Sequence, residues 1–302
     1  MQQVRRFLEM IRFSHTLFAL PFALFSACLA WFTKSQGFSW LELTGILLCM
    51  VFARSAAMAF NRLADRDVDA LNPRTTMRHL PAGLLTVRSV WFFLAVCVVG
   101  FILATSLFLW AEPPNGWPLA LSVPVLLFVL GYSSAKRFTA LAHFWLGTTL
   151  LLAPLASWIA IRQMQDLLIP LVLGLAVCAW VAGFDIIYAC QDVEFDRGAQ
   201  LHSIPAKLGV AWALRIALVC HVAMLGLLAV LYVLASPPHG PLGYVYLIGL
   251  GVVTVLIIYE HSLVRADNLT RVNRAFFNVN AIISVGLFVL LLVEICLAQF
   301  DF

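Results

Sequence analysis

Nine apolar stretches of roughly membrane-spanning length divide the sequence and restrict it to a helical membrane architecture. They lie at 15–33, 40–60, 88–110, 117–134, 142–161, 167–188, 209–235, 242–262 and 277–298. A helix needs about 20 mostly apolar residues to cross the hydrocarbon core of a bilayer. Pro124 and Pro154 fall inside two stretches, which a bundle tolerates because neighbouring groups satisfy the freed carbonyls. We therefore predict an all-α, multi-pass membrane bundle of about nine transmembrane helices, forming a single domain over 1–302.

Composition excludes a soluble fold, since 63% of the 302 residues are hydrophobic and only 11% are charged. A soluble domain of this size has no means of hiding so much apolar surface. The seven cysteines show no CxxC pair and no zinc-like spacing, so they are interpreted as core thiols. The start, MQQVRRFLEMIRF, is charged and amphipathic, which predicts a segment on the membrane surface rather than a cleavable signal peptide.

The distribution of basic residues predicts the orientation of the bundle. With nine spans and the N-terminus inside, all but two of the 19 Lys and Arg residues fall on the inside, and only Lys34 and Arg162 fall outside. Cytoplasmic loops carry the excess of Lys and Arg in membrane proteins. The N-terminus is therefore predicted to be cytoplasmic.

An acidic segment begins where the second apolar stretch ends. Asn61, Asp65 and Asp69 recur every four residues, so a helix through them places all three on one face, together with Arg54. Carboxylates crowded in this way repel one another unless a cation lies between them, and hard divalent cations prefer such oxygen ligands. Asp67 is expected to point away from this face.

A second acidic segment follows the sixth apolar stretch. Asp185, Asp192 and Asp196 are spaced by seven and four residues, which again predicts one helical face, with Tyr188 and Gln191 nearby. Either segment alone is compatible with an ordinary solvated helix cap. Two of them, on the same predicted side of the membrane and each reaching back into an apolar helix, favour a shared cation site.

A third polar element, Tyr132, Lys136 and Arg137, lies between the two acidic segments in sequence. It fits an interfacial anchor, and it also fits a cationic partner for a bound anion, because Arg and Lys bind phosphate oxygens. Carboxylates hold a diphosphate only through Mg²⁺. A diphosphate with an apolar body that lies among membrane helices is a polyprenyl diphosphate.

Other conspicuous residues are assigned structural roles. His15 and His143 are expected to make helix-end hydrogen bonds, because neither has a His or Cys partner at metal-ligand spacing. Glu260 and Glu294 each need a partner inside an apolar span, and Glu260 is expected to reach arginines of the 265–274 loop. Four aromatic residues are candidates for shielding a carbocation, although packing or interfacial anchoring is favoured for each: Phe22, Trp145, Trp158 and Phe184.

These motifs resemble those of the UbiA superfamily of intramembrane prenyltransferases, in the same order and over almost the whole chain. The matching positions are Asn61, Asp65 and Asp69 for NxxxDxxxD, Tyr132, Lys136 and Arg137 for YxxxKR, and Asp185, Tyr188, Asp192 and Asp196 for the second acidic motif. The segments IRFSHTLFALPFAL and HSIPAKLG resemble the 4-hydroxybenzoate polyprenyltransferase-like branch, which includes ubiquinone-pathway and futalosine-type menaquinone-pathway enzymes. Arg62 departs from the pattern, since many ubiquinone-pathway members have Asp there.

The resemblance implies Mg²⁺-dependent transfer of a polyprenyl group to an aromatic acid, most simply 4-hydroxybenzoate. It implies Mg²⁺ ligands at Asn61, Asp65, Asp69, Asp185, Asp192 and Asp196. It implies diphosphate contacts at Lys136, Arg137, Arg74, Arg78, Tyr132 and Tyr188. The catalytic residues are then Asp192, Arg137, Lys136 and Arg54, with Asp192 at the phenolic hydroxyl and Arg54 or Arg137 at the acceptor carboxylate.

The implied partners are polyprenyl diphosphate, an aromatic acid acceptor and membrane lipids, with no nucleic acid and no obligate protein partner. The implied location is a bacterial inner membrane, with the active site toward the cytoplasm. A naphthoate-type menaquinone precursor, or another acceptor used in the UbiA superfamily, remains an alternative. An intramembrane cation transporter remains an alternative of a different class, although it predicts carboxylates near the bilayer midplane rather than at helix ends. A receptor or scaffold with structural acidic faces explains the spacing poorly.

Overall fold

The computed structural model describes residues 2–11, 18–269, 272 and 278–300, and this part of the chain is helical, with no β-strand. The α-helices are α1 (Gln2–Met10), α2 (Leu20–Thr33), α3 (Trp40–Ala64), α4 (Arg66–Leu71), α5 (Val87–Ser106), α6 (Trp117–Gly131), α7 (Ala142–Arg162), α8 (Leu168–Ala189), α9 (Val193–Gly198), α10 (Ile204–Leu208), α11 (Val210–Ala235), α12 (Tyr244–Leu263) and α13 (Asn280–Phe300). The described residues also include 3₁₀ segments at Leu107–Trp110, Tyr132–Arg137 and Cys190–Asp192.

The all-α membrane architecture predicted from the apolar stretches is confirmed. In the described part of the chain, eight helical segments are long and apolar enough to cross a membrane. The first predicted stretch corresponds to α2, which is shorter at 14 residues, while residues 15–17 and 277 of the predicted spans lie outside the description. Pro124 and Pro154 do lie inside helices, in α6 and α7.

The helices form two compact units, each of which is described by itself. The first unit contains α1 and the segment 39–137. Its core joins α1, α3, α5, α6 and the 72–86 loop through buried side chains: Met10, Ile11, Ala56, Ala59, Leu80, Leu85, Val90, Leu94, Cys97, Phe101 and Leu126. The Arg6 guanidinium donates to the Leu84 carbonyl (3.1 Å), and Phe7 stacks on Phe93 with ring centroids 4.8 Å apart. Helix α1 is therefore packed on the loop that follows the first acidic segment.

The second unit contains the segment 17–38 and the chain from residue 138 onward. Helices α7 and α8 approach closely because Gly147 faces α8, where a Cβ would lie 2.5 Å from the Cys178 carbonyl oxygen. A second buried cluster lies around the end of α8: Ile186, Ile187, Cys190, Ile204, Ala213, Ala217, Leu263, Val264 and Val272. This cluster fixes the backbone that carries the second acidic segment. A single domain over 1–302 stays a prediction.

Candidate functional site

The first acidic segment forms at the end of α3. The helix begins at Trp40 after Ser39, whose side chain accepts from the Glu42 amide (3.5 Å), and its long apolar run ends at Ala64. Asp65 leaves helical geometry (φ −91°, ψ 3°), so the predicted continuous helix is interrupted there before α4 begins. The four-residue hydrogen bonds nevertheless persist, from the Asp65 amide to the Asn61 carbonyl (2.9 Å) and from the Asp69 amide to the Asp65 carbonyl (2.7 Å). The three predicted ligands therefore remain in register.

Asp65 is half-buried, and its carboxylate accepts a hydrogen bond from the Asn61 amide nitrogen (2.8 Å). Burial raises the pKa of the Asp65 carboxyl above its ordinary value, and the neighbouring Asp69 raises it further. The positive charges of Arg62, Lys136 and Arg78 oppose this rise in pKa. A cation bound at Asp65 would favour the ionised carboxylate and would therefore oppose both effects.

Asp69 is buried between two arginines. One guanidinium nitrogen of Arg78, Nη1, lies 2.6 Å and 2.8 Å from the two carboxylate oxygens, and Nη1 of Arg62 lies 3.6 Å away. The Asp69 carbonyl also accepts from the Thr75 hydroxyl (3.0 Å), which fastens the start of the following loop. Arg62, which the sequence marked only as a departure from the family pattern, is thus a charge partner of Asp69.

The neighbouring charged pair does not belong to this cluster. Arg66 and Asp67 pair with each other (2.9 Å), with side chains 46% and 83% exposed. In the loop, Asn72 accepts from the Arg74 backbone amide (2.9 Å), so the structure positions the backbone of Arg74 beside the segment. Asp67 is therefore a suitable control for any test of Asp65.

The basic 3₁₀ segment Tyr132–Arg137 contacts the same region of the first unit. The Arg137 guanidinium donates to the carbonyl of Ala64, the last residue of α3, where an unpaired helix-end carbonyl attracts a cation. Lys136 is close enough for its charge to lower the pKa of Asp65. Arg54 lies within α3, half-buried, and among the described residues its Nε has no hydrogen-bond partner. The predicted basic element therefore does accompany the first acidic segment.

The second acidic segment begins in the last turn of α8, continues through the 3₁₀ segment Cys190–Asp192 and ends in α9. The predicted single helical face is therefore interrupted by a 3₁₀ turn. Asp185 accepts from Nδ1 of His143 (2.7 Å), and Nε2 of His143 accepts from the Ile204 amide (3.3 Å). His143 makes hydrogen bonds as predicted, but its partner is a predicted site residue 42 positions away, which no local sequence signal revealed.

Asp196 is buried (3% exposed) and accepts from the Ser203 hydroxyl (2.8 Å). The Ser203 oxygen in turn accepts from the Ala206 amide (3.3 Å) and caps α10. Asp192 is half-buried at the junction with α9, and Tyr188 lies one turn before it, its carbonyl accepting from the Gln191 side chain (3.4 Å). Two of the three predicted carboxylates are thus oriented by the turn that precedes α10.

Mg²⁺, which the family resemblance implies, fits the donors present. The candidate ligands are carboxylate and amide oxygens, which this hard ion prefers. In the described part of the chain, no three His, Cys, Asp or Glu side chains are grouped so as to hold a metal by themselves. Mg²⁺ is usually bound by one or two carboxylates, with waters and substrate phosphates as the remaining ligands.

The aromatic candidates separate into two groups. Phe22 and Phe184 contact Trp180, with ring centroids 5.2 Å and 4.9 Å apart, so they belong to one buried aromatic cluster in the second unit. Trp158 instead donates to the Gln165 carbonyl (2.8 Å), and Trp145 packs edge-on against Phe138. Those two contacts are structural.

The buried glutamates also have partners within the second unit. Glu260 accepts from the Asn280 side chain (3.1 Å), whose oxygen accepts from the Trp180 indole (2.6 Å). Its described partner is therefore Asn280, while Arg271 and Arg274 of the predicted partner loop, like His15, lie outside the described residues. Glu294 accepts from the Gly243, Val245 and Tyr246 amides at the start of α12.

Known proteins resemble this chain over most of its length. The UbiA prenyltransferase family matches residues 19–282. The chain is 32% identical over 252 residues to a 4-hydroxybenzoate octaprenyltransferase of Tolumonas auensis, covering 80% of this chain and 83% of the relative. It is 30% identical over 220 residues to a 4-hydroxybenzoate solanesyltransferase of Synechocystis sp., covering 70% and 71% of the two chains.

Solved structures share the fold. The apo structure of a UbiA homologue from Aeropyrum pernix K1 superposes with a TM-score of 0.79 at 30% identity, covering 94% of this chain and 98% of that one. A UbiA homologue from Archaeoglobus fulgidus bound to DMAPP and Mg²⁺ gives a TM-score of 0.71 at 20% identity, covering 96% and 99%. The apolar helices and these matches identify an integral membrane protein. This chain belongs to the UbiA prenyltransferase family.

Proposed function

We propose that this protein transfers a polyprenyl group from a polyprenyl diphosphate to 4-hydroxybenzoate in a Mg²⁺-dependent reaction. The observation that carries the proposal is the cluster around Asp65, where acidic and amide oxygens lie beside several cations. Such a cluster suits a Mg²⁺–diphosphate, which needs oxygen ligands for the metal and positive charge for the phosphates. The relatives named for 4-hydroxybenzoate prenyl transfer support the choice of acceptor.

The family resemblance assigns Mg²⁺ ligands within each acidic segment. In the first segment these would be Asn61, Asp65 and Asp69, and in the second segment they would be Asp185, Asp192 and Asp196. Phosphate oxygens are bound by basic and hydroxyl side chains: Arg74, Arg78, Lys136, Arg137, Tyr132 and Tyr188. Arginine binds phosphate through paired N–H groups and lysine as a point charge, so together they neutralise a group of high negative charge.

The reaction breaks the C1–O bond of the prenyl diphosphate, and the diphosphate leaves with the electron pair. Bound Mg²⁺ supplies Lewis-acid stabilisation of the charge that develops on the leaving group. Lys136, Arg137 and Arg78 stabilise the same charge through preorganised N–H donors. A ring carbon of the acceptor then bonds to C1 of the allylic cation, and the ring proton is lost to a base.

The acceptor is oriented through its two polar groups. Arg54 is suited to its carboxylate, because the Nε of this side chain is buried without a hydrogen-bond partner in the described structure. Arg137 is the alternative cation for that carboxylate. Asp192 is assigned to the phenolic hydroxyl, whose hydrogen bond to a carboxylate increases the electron density of the ring.

The proposed setting is a bacterial inner membrane, with the reaction at the cytoplasmic side. The basic loops and the bacterial relatives support this location. The proposed partners are polyprenyl diphosphate, the aromatic acid and the surrounding lipids. No nucleic acid or obligate protein partner is part of the proposal.

Arg62 favours keeping a second candidate acceptor, a naphthoate-type menaquinone precursor. This arginine pairs with Asp69. Many ubiquinone-pathway members have Asp at the position of Arg62. The cation-transporter alternative is disfavoured because Asp65 and Asp192 lie beyond the ends of the long helices α3 and α8 rather than near their middles.

The test is prenyl transfer by purified protein in lipid nanodiscs, with a labelled polyprenyl diphosphate and either 4-hydroxybenzoate or a dihydroxynaphthoate. We expect a Mg²⁺-dependent product with 4-hydroxybenzoate that disappears with a chelator. Product from the naphthoate alone would select the second acceptor. Well-folded protein that gives no Mg²⁺-dependent product with either acceptor would overturn the proposed function.

A further inference from the structure

His143 lies at the start of α7 in the second unit and is completely buried. Its two ring nitrogens face two different elements: Nδ1 lies 2.7 Å from a carboxylate oxygen of Asp185 on α8, and Nε2 lies 3.3 Å from the Ile204 amide nitrogen on α10. Asp185 and Ile204 lie 42 and 61 positions from His143 in the sequence. The imidazole therefore joins three helices at one point.

The identity of the second partner determines which nitrogen carries the proton. A backbone amide is a donor only, so Nε2 must accept from Ile204 and cannot itself carry a hydrogen in this arrangement. The ring proton is then on Nδ1 and is donated to Asp185. Because both ring nitrogens make hydrogen bonds, the orientation of the ring is fixed. Metal-binding histidines are oriented in a similar way, by a hydrogen bond from the ring nitrogen that does not bind the metal.

Ser203, the residue before Ile204, makes a similar contact with Asp196 at the other end of the second acidic segment. Ser203 is buried and donates its hydroxyl to Asp196 (2.8 Å), and the Leu201 amide donates to the Asp196 carbonyl (2.8 Å). Two consecutive residues, Ser203 and Ile204, are thus connected to two carboxylates that lie eleven positions apart. Ser203 bonds directly to Asp196, whereas Ile204 is connected to Asp185 through His143.

We propose that His143 is a positioning residue, which holds Asp185 in a fixed relation to the Ser203–Ile204 turn and thereby sets the spacing of the Asp185 and Asp196 carboxylates. This inference rests on the proposed function, in which both carboxylates serve Mg²⁺ and the diphosphate. A histidine that only filled a buried polar space would affect stability, but it would leave the Mg²⁺ dependence of the folded enzyme unchanged.

Two polar substitutions separate the two hydrogen bonds. His143→Asn retains an amide near the position of Nδ1, so it can donate to Asp185 but cannot reach Ile204. His143→Gln places its amide near the position of Nε2, so it can accept from Ile204 but does not reach Asp185. His143→Leu removes both bonds, and His202→Gln is the matched control, because His202 is exposed and adjacent to the same turn.

The experiment measures the half-saturating Mg²⁺ concentration and kcat of each variant, and the Mg²⁺-induced rise in melting temperature in nanodiscs containing a non-reactive diphosphate analogue. We expect His143→Gln and His143→Leu to need about 10–100-fold more Mg²⁺ in both measurements, as is typical when an outer partner of a metal ligand is lost. His143→Asn should lose less, and His202→Gln should match the wild type. Folded Gln and Leu variants with unchanged Mg²⁺ dependence would overturn the proposal.

A spectroscopic measurement tests the same contacts without activity. In ¹⁵N-histidine-labelled protein, His143 should show the Nδ1–H tautomer, and Asp185→Asn should shift its Nδ1 resonance. An Nε2–H tautomer, or a spectrum unaffected by Asp185→Asn, would overturn the proposal even if no His143 variant folds. A wild-type protein without any Mg²⁺-dependent product would overturn the proposed function instead, and the tautomer result would distinguish the two failures.

Discussion

The Asp69→Asn substitution is expected to destabilise the first unit by about 3–5 kcal/mol, which is the usual effect of removing one partner of a buried ion pair. The Asp69 side chain is only 7% exposed, and it is contacted by Arg78 at 2.6 Å and by Arg62 at 3.6 Å. The neutral amide removes the anionic charge from both contacts. The Arg62 side chain is also only 7% exposed, so water compensates it poorly.

Replacing the arginine instead of the aspartate should lower the free energy of unfolding by less. Arg78→Gln is expected to destabilise by about 1–3 kcal/mol, the range for losing a hydrogen bond to a charged group, because Arg62 remains beside Asp69 and Arg78 is already 25% exposed. The double substitution should then cost less than the sum of the two single ones. A coupling energy of about 0.5–3 kcal/mol is typical for residues in direct contact.

Denaturant titration in mixed micelles, without Mg²⁺ and followed by circular dichroism, measures these free energies of unfolding. The control is the exposed neighbouring pair, where Asp67→Asn and Arg66→Gln should each change stability by no more than about 0.5 kcal/mol. An Asp69→Asn variant as stable as the control variants, or an Arg78→Gln variant less stable than Asp69→Asn, would show that Asp69 is not the buried charge that these arginines neutralise.

Three further changes have expected outcomes. Asp65→Asn should raise the melting temperature of the Mg²⁺-free protein at neutral pH, because the pKa of Asp65 is raised in the folded state and its ionisation therefore opposes folding. This cost is absent below the unfolded pKa of about 3.9, grows as the pH rises from there to the folded pKa, and is complete above the folded pKa. A melting-temperature series against pH in which the wild type stays the more stable protein at neutral pH contradicts this. Gly147→Ala should destabilise the protein by about 1–3 kcal/mol, because the new Cβ would lie 2.5 Å from the Cys178 carbonyl oxygen. The control is Gly226→Ala, whose Cβ would meet nothing within 4 Å and which should be neutral or slightly stabilising in the same denaturant titration. Equal effects of the two substitutions would argue against the close α7–α8 contact. Glu294→Ala should cost about 1–3 kcal/mol by leaving buried amides at the start of α12 unsatisfied, and unchanged stability in that titration would show that the carboxylate does not cap this helix.

Much of the architecture follows from local sequence. Runs of about 20 apolar residues have one stable solution in lipid, so the helices and their approximate bounds were predictable. The spacing of Asn61, Asp65 and Asp69 also predicted their register, because helical hydrogen bonding survives the break at Asp65. The break itself, like the 3₁₀ turn before Asp192, comes from local packing that the spacing does not encode.

The contacts that orient the acidic residues were not predictable in this way. His143 and Asp185 meet because α7 and α8 pack closely, and their separation of 42 positions has no local signature. Arg62 attracted notice only as an unusual residue, and its pairing with Asp69 depends on how the chain continues into α4 after the break at Asp65. Trp180 lay unmarked in an apolar run, although its indole is bound by Asn280 in a buried network. Each case depends on tertiary packing, which a motif does not specify.

The most direct test of the proposed function compares wild type, Asp65→Asn and Asp67→Asn in one nanodisc preparation, with 4-hydroxybenzoate and a labelled polyprenyl diphosphate over a Mg²⁺ titration. We expect Mg²⁺-dependent product from the wild type and from Asp67→Asn at similar rates. Asp65→Asn should lose about 100-fold or more in rate, comparable to removing one group that stabilises developing charge. Equal Mg²⁺-dependent rates for all three proteins would contradict the assignment of the first acidic segment to the Mg²⁺–diphosphate.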